Sequence, residues 1–507
     1  MSSDVNESIW ISTAPGTSFP SLDRDLKVDV AIVGGGITGL TAATILKKAG
    51  MSVAVLELGS IASAETGHTT AHLTEAVDAG YRDVASDFGP EGAALVAQGG
   101  RDAIRFIEEL STTQGIDCGF ERLPAFFYTE SEADLEMLRE EANASANAGL
   151  DASFVTDTPL PFSTKGAVRY ENQAQFHPRE YLLPLAKQIV GNGSHVFENS
   201  GAIGFKDGSP CEVQTGKGTV TADAIFVAAH VPVNDLVAIF TKIAAYRSYA
   251  MAIEVSSPLA PGLFWDTEDP YHYTRSYRSG QRNILIVGGE DHKTGMEKDT
   301  EEPFRKLEEY ARSRFGLMKV LHRWSGQIIE PHDGLPFVGR NPMSKNLYVA
   351  TGYSGQGMTF GTLSGMVVAD LILGRENKYA ALLDATRVKP IAAAKDYITE
   401  NVDFPKRFIL DRIFRANVEG HSVDDLSAGE GKILSIKGKK VALYRDESGH
   451  LDALSPVCPH MQCDVAWNTH EKSWDCPCHG SRFTCEGKVV NGPAVTNLKR
   501  IDPTELE

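Results

Sequence analysis

Two short stretches near the C-terminus combine the residue types that hold redox metals. Cys458-Pro-His460 and Cys476-Pro-Cys478-His479 offer two thiolates and two imidazoles in a C-x-H … C-x-x-H spacing. Donors of this kind serve a tetrahedral structural zinc. They also serve a [2Fe–2S] cluster in which two histidines replace two cysteines on one iron. In the cluster, Cys458 and Cys476 bind the iron that stays ferric, because thiolates stabilise the higher charge. His460 and His479 bind the reducible iron, and neutral imidazoles in place of thiolates raise the potential.

A second constellation lies near the N-terminus. Gly34, Gly36 and Gly39 form G-x-G-x-x-G between a run of strand character and a run of helical character. Gly34 allows the tight turn, Gly36 lets backbone approach a pyrophosphate, and Gly39 allows close helix–strand packing. Ile37 and Thr38 open the helix, whose N-terminal amides and dipole suit an anion. Glu57, ending the next strand, can accept a hydrogen bond from a ribose hydroxyl and would repel a 2′-phosphate.

The elements that position these residues follow from periodicity and punctuation. A strand over 28–33, a helix over 37–49 stopped by Gly50, and a strand over 51–58 make one right-handed βαβ unit. The stretch 81–141 reads as helical around a strand at 120–130, and His177, in FHP, opens a helix. Strands follow near 195–205 and 222–229. YHYTRSY and NILIVGG bracket a turn at Gly280, and LYVA at 347–350 runs into TGYSGQGMTFGT and a helix ending at Gly374. Residues 375–420 read as a polar, helical connecting arm. From Ser422 onward, short alternating strands with turns indicate a small antiparallel domain. The expected fold class is α/β: a nucleotide-binding Rossmann-like domain with an inserted mixed-sheet domain, plus a small all-β C-terminal domain. The expected division is 1–400, a linker over 401–420, and 421–507. Nucleotide-binding segments fall at about 25–80, 195–235 and 325–375.

Composition narrows the function. Lys and Arg number 49 against 67 Asp and Glu, a net charge of −18. Such a surface repels phosphate backbones and argues against nucleic-acid binding. The apolar run 28–46 contains Asp29 and four glycines, so no membrane span is expected. The N-terminus lacks a basic segment followed by an apolar run, and a cytoplasmic location is the expectation. There is no second strand–GxGxxG–helix unit, so a separate NAD(P)H domain is not expected.

The flanking residues carry two resemblances. VDVAIVGGGITGL, VAAH at 227–230, RWSGQIIEPHDGLPFVGR and TGYSGQGMTFGT together resemble the D-amino-acid oxidase-like flavoproteins over about residues 25–375. That resemblance implies FAD, with Gly355, Gly357, Met358 and Thr359 facing the flavin ring, Thr69 and Thr70 near the pyrophosphate, and Ala202 near the adenine. CPHMQC and CPCHGS in a small β domain resemble Rieske proteins, which favours the [2Fe–2S] cluster over zinc. The Rieske resemblance further implies a disulfide between Cys463 and Cys478 and a Ser481 hydroxyl directed at a bridging sulfide. It makes Asn491-Gly492-Pro493-Ala494 the loop that covers the cluster. Phe483 departs from the high-potential members, which carry tyrosine there.

The joint resemblance implies an FAD-dependent dehydrogenase acting on the C–N bond of an amine or amino acid. Electrons then pass from the flavin to the chain's own cluster and on to an external acceptor protein. Tyr273 and Arg275, in YHYTR, are candidate catalytic residues on a strand facing the flavin, with Arg275 suited to a substrate carboxylate. Two alternatives stand: a reductase with electrons entering at the cluster, and a redox sensor or electron-transfer protein with little turnover. A Rieske oxygenase is disfavoured, since no D/N-x-x-H-x-x-x-x-H run is present for a mononuclear iron.

Overall fold

The computed structural model describes residues 6–233, 239–280, 282–388, 423 and 426–502. Val30–Val33 and Val53–Leu56 are buried at every position, as parallel strands covered on both faces require. They lie at the centre of a six-stranded sheet. Its order is 337–340, 347–351, 224–227, 30–33, 53–56, 195–197, parallel except at the first pair. The helices Ile37–Lys48 and Gly357–Ile372 pack on one another beside this sheet, through glycines. A Cβ at Gly365 would stand 2.7 Å from the Thr38 carbonyl, and one at Gly361 would stand 2.8 Å from Thr38 Oγ1. That close crossing brings two helix N-termini to one place.

A nine-stranded mixed sheet forms the second layer, running from Leu317–Pro331 through Ile243–Val255, Arg282–Lys293 and His272–Ser279 to Gly166–Gln175 and His72–Leu73. Helix Glu302–Phe315 lays Phe304, Leu307, Ala311 and Phe315 against it, at the spacing that one apolar helix face demands. The helical reading of 81–141 resolves into helix Tyr81–Gln114, bent at Gly89-Pro90, strand Glu121–Thr129 and helix Leu135–Asn147. His177 caps helix Pro178–Ile189, its ring accepting from the Glu180 amide at 3.2 Å.

The C-terminal portion is all-β. Strands Glu430–Ile436, Lys439–Arg445 and Leu451–Leu454 make one antiparallel sheet. Ala466–Asn468, Ser473–Asp475, Arg482–Thr484 and Val489–Asn491 make a four-stranded meander. Most of the proposed arm, including the linker 401–420, lies outside the described residues. Its beginning corrects the expectation: 375–388 is a series of turns docked on the body. Tyr379 and Leu383 are buried there, and Arg387 forms a bidentate pair with Asp333. A helix Ile9–Thr13, given no role by the sequence reading, inserts the fully buried Trp10, whose Nε1 donates to the Thr69 carbonyl.

Candidate active site and metal centre

The glycine turn is built as its spacing requires. Gly34 has a φ of +111°, and a Cβ there would stand 2.3 Å from the Ala228 carbonyl. A Cβ at Gly39 would meet the Gly34 carbonyl at 2.0 Å, so only glycine lets the helix start this close to the strand. Glu57 Oε2 accepts from Gly35 N and Oε1 from Gly59 N, which fixes the carboxylate. Burial raises its pKa, opposed by those amides.

From this turn a cavity of about 730 Å³ runs through the molecule. Gly34, Gly36, Ile37, Thr38, Glu57, Thr69, Thr70 and Ala202 line one part of it, and Gly355, Gly357 and Met358 another. Gly39 and Thr359 do not line it: Gly39 is spent on packing, and Thr359 is 2% exposed in the helix. A Cβ at Gly357 would meet nothing within 4 Å, so that backbone faces open space at a helix start. Polar atoms of wall residues lack hydrogen-bond partners, namely Nε2 of His72 and His230 and Oε1 of Gln327 and Gln356. Two helix N-termini, a fixed acceptor for a ribose and bare polar atoms fit a long dinucleotide such as FAD.

Tyr273 lines the cavity, its ring lying against Gly288, where a Cβ would come within 2.3 Å of it. Its hydroxyl pairs with Ser248 Oγ at 2.7 Å. Arg275 has a different post from the one expected. It is 1% exposed, sits 5.0 Å over Trp10, and donates to the carbonyls of Ala71 and Phe176 and to Gln175 Oε1. Residues two apart on a strand share a face, but helix Ile9–Thr13 covers the far part of that face, so Arg275 does not reach the cavity.

The sequence reading missed Asp78 and Tyr271. Asp78 Oδ2 accepts from Gly355 N at 2.6 Å and Oδ1 from Gln356 Nε2 at 2.9 Å, which ties the late glycine motif down. Burial pushes its pKa up to about 6, against the Gly355 amide. Tyr271 was legible in principle, standing two residues before Tyr273 and therefore on the same face.

The candidate ligand loops fold tightly in the C-terminal portion. Cys458 N donates to Cys463 O, and Cys476 N to Ser481 O. A disulfide joins Cys463 and Cys478, closing the two loops on each other. The Cys458 and Cys476 thiols are buried side by side, and the His460 and His479 rings lie 5.1 Å apart at 88°. Burial holds both imidazoles neutral, pushing His460 to about 4 and His479 to about 3, the form in which histidine binds metal. Ser481 Oγ accepts from Ala494 N, leaving its own proton to donate. Two thiols on one side and two neutral imidazoles on the other fit a two-iron cluster.

The two sites adjoin. Val489, Asn491, Gly492 and Ala494 line the same cavity as the glycine turn. Asn491 Nδ2 donates to Glu65 Oε1 at 2.5 Å, and Gln327 Nε2 donates to the Gly480 carbonyl at 2.8 Å. Phe240, from the oxidoreductase body, stands 4.7 Å from the His460 ring and 5.7 Å from the His479 ring. It packs with Val231, which lines the cavity. No sequence signal marked Glu65 or Phe240, and Gln327, though inside the quoted motif RWSGQIIEPHDGLPFVGR, was given no role; their importance comes from tertiary contact.

Comparison with known proteins agrees with this geometry. The family model described as FAD dependent oxidoreductase matches residues 29–371, and that of the Rieske [2Fe-2S] domain matches 418–502. The chain is 33% identical over 504 residues to a putative Rieske 2Fe-2S iron-sulfur protein, YhfW, of Bacillus subtilis, covering 98% of each. It is 26% identical to the gamma-glutamylputrescine oxidoreductase of Escherichia coli, over 72% of this chain and 88% of that protein. Glycine oxidase from Geobacillus kaustophilus shares the fold with a TM-score of 0.59 at 21% identity, over 72% of this chain and 99% of that one. The chain belongs to the FAD dependent oxidoreductase family and carries a C-terminal Rieske [2Fe–2S] domain, so that its cofactors are FAD and one such cluster.

Proposed function

We propose that the protein is an amine or amino-acid dehydrogenase that passes electrons from FAD to its own Rieske cluster and on to an external acceptor. The observation carrying this reading is the shared wall: Val489, Val490, Asn491, Gly492 and Ala494, beside the cluster loops, line the cavity that the glycine turn opens. Similarity to gamma-glutamylputrescine oxidoreductase supports a nitrogen-bearing substrate. In the reaction a C–H and an N–H bond break and a C=N bond forms, and water hydrolyses the imine. Bound FAD supplies the hydride acceptor, and the cluster supplies a one-electron carrier.

The chain's own residues then have assigned work in the proposal. Gly36 and Thr38 present amides to the pyrophosphate, the Ile37 amide donates to Thr66 Oγ1, and Glu57 holds the ribose. Asp78 fixes Gly355 and Gln356 beside the flavin, and Tyr273 and Ser248 wall the substrate position. Cys458 and Cys476 hold one iron, and His460 and His479 the other. Phe240 and Gly492 keep water out between the two cofactors.

Anaerobic mixing with a panel of amines and amino acids tests this, with flavin absorbance and the Rieske EPR signal followed together. Bleaching of the flavin followed by growth of the cluster signal is expected. If no compound reduces the flavin, while a reduced ferredoxin reduces the cluster and then the flavin, the direction of flow is the reverse.

A further inference from the structure

The cavity is acidic throughout. Among its described lining residues the charged ones are Glu57 near the glycine turn, Glu65 in the middle and Asp78 beside Gly355, with no lysine or arginine. Two of the lining histidines, His72 and His230, are held toward the neutral form. Burial and then the Arg275 charge push His72 down to about 3, and burial lowers His230. Arg275 is committed elsewhere, as shown above.

The end next to Gly355 has a particular make-up. A Cβ at Gly355 would lie 2.9 Å from Asp78 Oδ2 and 3.3 Å from the Tyr271 hydroxyl, so carboxylate and phenol converge there. The Tyr271 and Tyr273 rings stand 5.7 Å apart at 43°, and Trp265 lines the same space. Behind this wall is a second carboxylate. Asp291 is enclosed beside Asp78 with the Ser248 and Tyr271 hydroxyls as its hydrogen-bonding neighbours, and burial pushes its carboxyl up to about 7. His72 Nε2, on the wall, has no hydrogen-bond partner.

Resting on the dehydrogenase reading, we propose that this end selects an organic cation, an amine or alkylammonium group, and rejects a substrate carboxylate. Asp78 supplies the charge that meets the cation, and Tyr271, Tyr273 and Trp265 supply aromatic faces. Asp291 is a positioning residue: it orients the Ser248 and Tyr271 hydroxyls so that their oxygens face the cavity. A carboxylate entering the same place would be desolvated against Asp78 with no cation to pair with, which is the costly arrangement.

The test uses the FAD- and cluster-loaded protein and reads binding by perturbation of flavin absorbance. The probes are choline, its neutral isostere 3,3-dimethylbutan-1-ol, and benzoate. Choline is expected to saturate at a concentration at least tenfold below the isostere, with no saturating response to benzoate. Asp78→Asn should bring the choline-to-isostere ratio close to one. Asp291→Asn, which leaves the Gly355 tether intact, should lower it partway, whereas a merely structural role would weaken both probes equally. Benzoate binding as tightly as choline, or a ratio unchanged in both variants, would overturn the proposal. The dehydrogenase reading fails separately: choline would discriminate, yet no amine or amino acid would bleach the flavin. Conversely, amino acids that reduce the flavin at lower KM than their decarboxylated amines would sink the cation site and leave the dehydrogenase standing.

Discussion

At the residue scale, Phe483 offers the clearest handle on redox tuning. It is fully buried in the cluster domain, paired across the sheet with Trp474 and in one apolar group with Cys458, Cys476 and Ala494. A phenylalanine donates nothing to a cysteine sulfur, whereas a tyrosine there could. A hydrogen bond that favours the reduced, more negative cluster by about 1 kcal/mol raises a one-electron potential by roughly 40 mV, since 59 mV is a factor of ten. Phe483→Tyr is therefore expected to raise the cluster potential by that order in an EPR-monitored redox titration. An unchanged or lowered potential would contradict the assignment. The four candidate ligands were picked from spacing and flanking residues, because C-x-H and C-x-x-H loops encode their chemistry locally, and the structure brings their side chains together. The disulfide followed from resemblance alone, and the structure contains it.

At the scale of elements, the glycine turn and its βαβ unit were legible because strand, turn and helix signals are contiguous. Arg275 was misread because its surroundings are not. Its strand and face were right, but a five-residue helix far away in sequence closes over it. The docked turns at 375–388 were misread for a related reason: their polar pattern conceals Tyr379 and Leu383, which are buried by partners that no local pattern reveals. Arg275→Ala removes a buried cation from three acceptors and from the face of Trp10. Each acceptor left without a partner costs about 1–3 kcal/mol, so a loss of at least about 3 kcal/mol in denaturant unfolding is expected. The KM for an amine should stay near its original value in the protein that remains folded. Unchanged stability with a raised KM would restore Arg275 to the substrate site.

At the scale of the whole molecule, the two cofactor regions are held together by a buried charge network. Glu471, in the cluster domain, accepts from Arg247 at 2.6 Å and from Ser325, both in the oxidoreductase body, and also from Arg482. Burial alone would raise the Glu471 pKa, but Arg247 and then Arg482 outweigh it and hold it below 4.5. A carboxylate lowered on folding stabilises fully above its unfolded pKa and loses that contribution as pH falls through the folded value. The interface is thus expected to weaken only below about pH 4.5. Glu471→Gln, which strips the buried Arg247 of its counter-charge, should cost about 3–5 kcal/mol at neutral pH and flatten the acid limb of stability. Parallel pH curves for the two proteins would contradict this. The central claim is that electrons cross between flavin and cluster inside one chain. Rapid freeze-quench EPR after anaerobic flavin reduction measures that step directly. The account predicts a first-order rise of the Rieske signal whose rate constant does not change with protein concentration. A rate that scales with protein concentration, or a cluster that stays oxidised beside reduced flavin, would contradict it.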